Sequence, residues 1–182
     1  EVKLSDKNEI LIKHEALMLG YYKDIEQTNE IIKDGWLYTG DKGEIDADGF
    51  LKITGRVKDI FKTSKGKYVA PSPIEMKLSE NNYIEQVCVV GTGIPQPIAL
   101  AVLSDVGKKL PDVNTSIEKT LNHVNQNLEK HEVINNIVLV KENWTVENKF
   151  LTPSMKIKRN TIDKKYQENY SMWYEKDKIV VL

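Results

Sequence analysis

The sequence has one cysteine in 182 residues, so no internal disulfide can staple the fold. Cys88 lies in the apolar run Val87-Cys88-Val89-Val90 and reads as a reduced, buried thiol of a cytoplasmic protein. Long hydrophobic runs are also missing: none approaches the roughly 20 residues of a membrane-spanning helix. Charge of one sign is lacking too, because 26 Lys plus Arg face 27 Asp plus Glu. No overall field therefore draws the chain to nucleic acid or an anionic membrane, and any phosphate recognition must be local. His14, His123 and His131 stand apart from any cysteine or carboxylate at ligand spacing, which argues against a metal site. Trp36, Trp144 and Trp173 do not interleave with basic residues as a nucleic-acid platform would. The opening Glu1-Val2-Lys3-Leu4 carries no initiating methionine, signal peptide or transit pattern, so the expectation is a chain cut from a longer one.

What is present is the composition of a soluble globular protein, long enough for one ordinary core or a small domain with an appended segment. Glu9 to Lys13 is a strand candidate, and Leu17 to Tyr22 an apolar, aromatic turn region. Glycines then crowd between Gly35 and Gly66. There, two alternating segments, 44–46 and 50–54, flank Asp46-Ala47-Asp48-Gly49, the signature of a β-hairpin. After Lys67, helices and strands alternate. Ser72-Pro73-Ile74-Glu75 predicts a capped helix from Pro73 to about Glu80. Thr115-Ser116-Ile117-Glu118 predicts a second, to about Lys130, with Ile117, Leu121, Val124 and Leu128 on one face. Tyr83 to Gly91, Ile98 to Ser104 and Val133 to Lys141 read as strands, Phe150 to Lys158 as irregular, and Thr161 to Tyr170 as a short helix. The whole predicts an α+β fold with a boundary between Arg56 and Asp59.

Two constellations could carry chemistry. In Tyr38-Thr39-Gly40-Asp41, followed by Gly55-Arg56-Val57-Lys58-Asp59, a carboxylate could accept from a ribose diol and a guanidinium could grip oxygen-rich ligands. By themselves these residues favour a turn or N-cap aspartate and a surface arginine. Likewise Lys156 could be one member of a solvated cationic run with Lys158, Arg159, Lys164 and Lys165. Two phosphate signatures fail: Gly91-Thr92-Gly93-Ile94-Pro95-Gln96 lacks the third glycine of a dinucleotide fingerprint, and Lys62 to Lys67 lacks Walker spacing.

The stretch GWLYTGDKGEIDADGFLKITGRVKD resembles the signature of the adenylate-forming superfamily, which includes acyl-CoA synthetases, luciferases and peptide-synthetase adenylation domains. The resemblance continues through Phe61 to Pro71 and returns at LTPSMKIKRN, residues 151–160, where it looks most like the long-chain fatty acyl-CoA synthetase branch. It implies that residues 1–56 are the end of a large N-terminal domain, a β-hairpin or barrel remnant. Residues 57–182 would be the mobile C-terminal lid, with a small mixed sheet and packed helices. Asp41 matches the aspartate that binds the ribose of ATP or AMP, and Arg56 the arginine on the same nucleotide. Lys58 matches the hinge, which is Asp or Lys in relatives. Ser64, Lys65 and Gly66 match a loop of the CoA channel, and Lys156 matches the catalytic lysine.

The implied reaction consumes ATP, a fatty acid and CoA. Its Mg2+ ligand, phosphate loop and acyl pocket would lie upstream of Glu1, in this protein's own N-terminal domain, so the fragment is expected to be inactive alone. Two alternatives stand beside this reading: an acyl- or aryl-adenylating enzyme that loads a carrier protein, and a non-catalytic nucleotide-binding or interaction module. Peripheral membrane association is compatible with fatty acyl substrates, although no amphipathic basic helix stands out.

Overall fold

The computed structural model describes residues 1–182, which divide into two compact units, Glu1–Asp59 and Ile60–Leu182. In the first unit, β1 (Val2–Leu4), β2 (Glu9–Ile12), β3 (Ile32–Lys33), β4 (Trp36–Ile45) and β5 (Leu51–Arg56) form an antiparallel sheet, and α1 (Ile25–Ile31) precedes β3. The ten-residue β4 is its spine, pairing with β2, β3 and β5. The hairpin expected at Asp46–Gly49 is present: Asp46 Oδ1 accepts from the N–H groups of Asp48 and Phe50, closing the turn. Ile10 and Leu11 on β2 are the buried apolar residues of this sheet, while Trp36 lies beneath the Lys3 ammonium, 4.0 Å from the ring centre.

The second unit begins with the short hairpin β6 (Phe61–Lys62) and β7 (Tyr68–Val69), followed by α2 (Pro71–Leu78). A four-stranded mixed sheet contains β8 (Ile84–Val90), β9 (Ile98–Leu103), β10 (Ile137–Leu139) and β11 (Ile179–Val181), in the order β11-β10-β9-β8. β8 runs antiparallel to β9, whereas β10 is parallel to both β9 and β11. Helix α3 (Val113–Asn125) connects β9 to β10, and α4 (Arg159–Tyr166) and α5 (Tyr170–Tyr174) precede β11.

Strand alternation sorts side chains onto two faces. Val87, Val89, Ala99, Ala101 and Ile137 pack with Ile74 and Leu78 of α2 and Ile117, Leu121 and Val124 of α3. On the other face, Cys88, Val90, Leu100, Val102 and Val138 meet Trp144, Phe150, Ile162, Tyr166, Tyr170 and Trp173. The aromatic rings form a chain with centres 5.9–6.3 Å apart. Both sheet faces are covered, which is why β9 reads as a continuous apolar run. The α+β class with a small mixed sheet and packed helices is what the chain adopts, and no helix is long and apolar enough to cross a membrane.

Several boundaries depart from expectation. Helix α2 starts at Pro71 with Ala70 as N-cap, not at Pro73 behind a serine cap, and Glu75 makes no capping bond there. Two prolines suit a first helical turn, where no intrahelical N–H partner is needed. Helix α3 spans Val113–Asn125 and ends before Lys130. The Asn125 side chain turns the chain instead: it donates to the Ile134 carbonyl and accepts from the Ile134 N–H, both at 2.9 Å. The strand expected over Val133 to Lys141 shrinks to Ile137–Leu139, because Asn135 and Asn136 donate to the Tyr174 and Trp173 carbonyls. The single helix expected over Thr161 to Tyr170 is two, α4 and α5, joined by a 3-10 turn. α1 and β11 carry no expectation from the sequence.

Leu121 is fully buried between α3 and the sheet. Leu121→Ala is expected to cost about 2–5 kcal/mol, read as a lower urea midpoint at unchanged slope. Tyr170 is also buried, and burial, with Asp163 beside it, pushes its phenol well above the ordinary range. The folded form therefore keeps this proton where the unfolded chain releases it, so stability present below about pH 10 falls as pH rises further. Tyr170→Phe should flatten part of that alkaline slope in a series of thermal unfolding curves.

Candidate functional site

Strand register brings the first candidate pair together. Asp41 on β4 lies directly across from Arg56 on β5, and Arg56 Nε sits 3.2 Å from Asp41 Oδ1. Asp41 thus belongs to the sheet spine rather than to a turn or helix cap. The Arg56 side chain is 54% and that of Asp41 34% exposed, so solvent screens the pair and its contribution to stability is small, about 0–1 kcal/mol. What it fixes is geometry: a guanidinium and a carboxylate presented side by side. Gly40, at φ +74°, makes this possible. Its N–H donates to Glu9 Oε1, its carbonyl accepts from the Val57 N–H at 2.8 Å, and an added Cβ would lie 3.5 Å from the Arg56 guanidinium. Thr39 adds a second anchor, donating to the Ile10 carbonyl and accepting from the Asp41 N–H. Lys58 is exposed in the turn after β5, next to the boundary between the units.

Ser64, Lys65 and Gly66 form the tip of the β6–β7 hairpin. The Gly66 N–H donates to the Thr63 carbonyl, Thr63 and Lys67 close the hairpin behind it, and Gly66 has φ +79°. This is a three-residue turn that needs a glycine in the left-handed position. Thr63 is buried, and the Ser64 N–H donates to the Ile94 carbonyl, so the tip is fixed from two sides while its residues stay exposed.

Lys156 occupies a tight turn. An antiparallel bridge pairs Leu151 with Ile157, and the Lys158 N–H donates to the Phe150 carbonyl at 2.8 Å. Inside it, the Thr152 N–H donates to the Lys156 carbonyl, and the Lys156 N–H donates to Thr152 Oγ1. Met155 takes a left-handed φ of +62°, a conformation costing a non-glycine residue on the order of 1 kcal/mol. The Lys156 side chain is exposed, and its ammonium makes no hydrogen bond or ion pair.

Two residues that pattern reading misassigned, Glu75 and Arg159, pair with each other at the start of α4. Arg159 is no member of a solvated cationic run: its side chain is 17% exposed and pairs with Glu75, 16% exposed, at 2.9 Å. Arg159 Nη2 also lies 3.0 Å from the second Glu75 oxygen, and Nη1 donates to the Val89 carbonyl at 3.0 Å and contacts Cys88 Sγ at 3.1 Å. Glu75 Oε1 accepts from the Val89 N–H at 2.7 Å. β8 has a strand neighbour on one side only, so the ion pair supplies the donor and acceptor that another strand would have offered Val89. A signal was available in the sequence, since Glu75 falls on the Pro71, Ile74, Leu78 stripe that α2 buries.

No group of three or more His, Cys, Asp or Glu side chains is arranged to hold a metal ion.

Glu75→Ala would leave Arg159 and the Val89 N–H without this acceptor, and is expected to cost about 3–5 kcal/mol in urea unfolding. Glu75→Gln keeps an acceptor and should cost less.

Comparison with known proteins places these features in context. The profile of the AMP-binding enzyme C-terminal domain matches residues 58–178. Fatty acyl-CoA synthetase B of Dictyostelium discoideum is 34% identical over 188 residues, an alignment spanning 92% of this chain and 28% of that protein. A long-chain-fatty-acid–CoA ligase of Mycobacterium tuberculosis is 31% identical over 195 residues, spanning 97% of this chain and 32% of the ligase. The crystal structure of the adenylation domain of a carboxylate reductase from Mycobacterium chelonae superposes with a TM-score of 0.78 at 25% identity, covering 92% of this chain and 28% of that one. The chain thus spans about a third or less of the length of these relatives.

Proposed function

Because the chain belongs to the AMP-binding enzyme C-terminal domain family, we propose that it is the C-terminal part of an ATP-dependent, AMP-forming long-chain fatty acyl-CoA synthetase. In this reading residues 1–56 close the large N-terminal domain, and residues 57–182 are the lid that turns at Lys58. The similarity to two fatty acyl-CoA ligases over nearly the whole chain supports the substrate class. The Lys156 turn carries the mechanism. A left-handed backbone at Met155 and three turn hydrogen bonds hold an exposed lysine whose ammonium has no partner, an arrangement suited to an anionic ligand.

Each residue then has a chemical task. Asp41 accepts hydrogen bonds from the ribose hydroxyls, and Arg56 holds the same nucleotide. As the fatty acid carboxylate attacks the α-phosphate of ATP, negative charge grows on phosphate and carboxyl oxygens. The Lys156 ammonium stabilises it without needing to transfer a proton. Pyrophosphate leaves, and acyl-adenylate remains. The CoA thiol next attacks the acyl carbonyl and expels AMP, with the Ser64-Lys65-Gly66 tip bordering the pantetheine arm. Without an acyl pocket and phosphate loop of its own, the fragment should not form thioester alone.

A carrier-protein thiol as acceptor is the second reading, supported by the likeness, at 25% identity and a TM-score of 0.76, to the A-PCP didomain of a carboxylic acid reductase from Segniliparus rugosus. Presenting CoA and a phosphopantetheinyl carrier in parallel separates the two.

In the full-length protein, Lys156→Ala should lower acid-dependent pyrophosphate exchange by about 100-fold or more. Thioester formation from supplied acyl-adenylate and CoA should persist. Equal loss of both half-reactions in a folded variant, or loss of neither, would remove Lys156 from this role.

A further inference from the structure

We infer that Arg159, braced by Glu75, is a positioning residue for Lys156, fixing where the 152–156 turn leaves the core so that the ammonium meets the reacting phosphate in one orientation. The inference rests on the role proposed above for Lys156.

The tip of the turn cannot orient itself. Pro153, Ser154, Met155 and Lys156 are all exposed, so orientation must come from its two legs. The incoming leg is anchored by burial, with Phe150 and Leu151 inside the aromatic cluster. The outgoing leg is tied to the incoming one by the Leu151–Ile157 bridge and the Lys158 N–H bond to the Phe150 carbonyl, but the half-buried Ile157 is the one side chain it sends toward the core before Arg159, the first residue of α4 and three positions after Lys156. No side chain caps this helix start, so the usual local anchor is missing.

Arg159 supplies the anchor at two points. One nitrogen bonds the Val89 carbonyl on β8, and the other grips Glu75 on α2. A planar fork held at both ends fixes rotation as well as position, which the point charge of a lysine would not. Ile162 and Tyr166 hold the rest of α4 in the core, so Arg159 governs the first turn alone. The Ser64–Gly66 tip is held separately, by Thr63, Lys67 and the Ile94 carbonyl, and none of these bonds runs through Arg159. Disturbing Arg159 should therefore injure the half-reaction that uses Lys156 and spare the one that uses the hairpin tip.

The test compares Arg159→Lys, Arg159→Ala and Lys156→Ala in the full-length protein, each by pyrophosphate exchange, by thioester formation from supplied acyl-adenylate and CoA, and by thermal unfolding. Arg159→Lys is expected to fold and to lower the exchange kcat about 10-fold or more, with KM for ATP and fatty acid unchanged. Its thioester formation should stay within about 2-fold, because only a misplaced Lys156 separates the half-reactions in this way. Arg159→Ala should be worse in exchange, and if it does not fold the lysine variant decides. An unchanged exchange kcat in Arg159→Lys, with exchange abolished in Lys156→Ala, overturns this inference and leaves the functional reading standing. Parallel loss of both half-reactions in Arg159→Lys also overturns it. Exchange surviving in Lys156→Ala overturns the reading beneath it as well.

Discussion

The second unit depends on one buried exchange of charge: Arg159 against Glu75, across the open edge of β8. Taking a guanidinium and a carboxylate largely out of water is costly, and attraction alone does not reliably repay it. Here each ion also satisfies a main-chain group of Val89 that the open edge of the four-stranded sheet would have left exposed or unpaired. The pair therefore does what a fifth strand would do while joining the start of α4 to the consecutive α2 and β8, 70 and 84 residues away at Val89 and Glu75. Hydrophobic burial supplies most of the favourable free energy of such a unit, yet it is non-directional. The ion pair adds the directional constraint that sets where α4 begins.

The glycine turns, by contrast, act locally and at the surface. Gly40 lets β4 pass close to Arg56, and Gly66 closes a hairpin whose tip stays in solvent. Lys156 is presented without a glycine, at the expense of a left-handed methionine. Apart from the half-buried Asp41, these candidate groups thus stand on hydrogen-bonded backbone with their chemical ends exposed, the arrangement expected when a ligand or another part of a protein completes the surroundings.

Much of the fold was legible in the sequence where a single physical signal dominated. Alternation and turn residues gave the Asp46–Gly49 hairpin, and continuous apolar runs gave β8 and β9. Helix starts were less readable, because capping motifs compete with tertiary demands. Glu75 fits a capping box by spacing, but a buried arginine and a strand-edge amide claim its oxygens. β11 escaped notice because three apolar residues acquire strand character only when β10 lies beside them. The candidate residues themselves were found by resemblance, since an aspartate on β4 and a lysine in a charged run carry no local signature of chemistry. Arg159 was hidden by the same charged run: composition cannot say which of several neighbouring cations turns inward.

The sheet is closed on its two sides by different means. β8 is guarded by charge, which repels intruding strands as well as satisfying Val89. On the far side, β10 is the apolar triplet Ile137-Val138-Leu139, and its outer edge is covered by the three residues of β11. Whenever β11 lifts away, that edge becomes a short, uncharged template for intermolecular β-pairing. Resistance of that edge to pairing with another chain therefore rests on the docking of one small strand, with Lys178, whose ammonium donates to the Asn135 carbonyl, as the cation at its start.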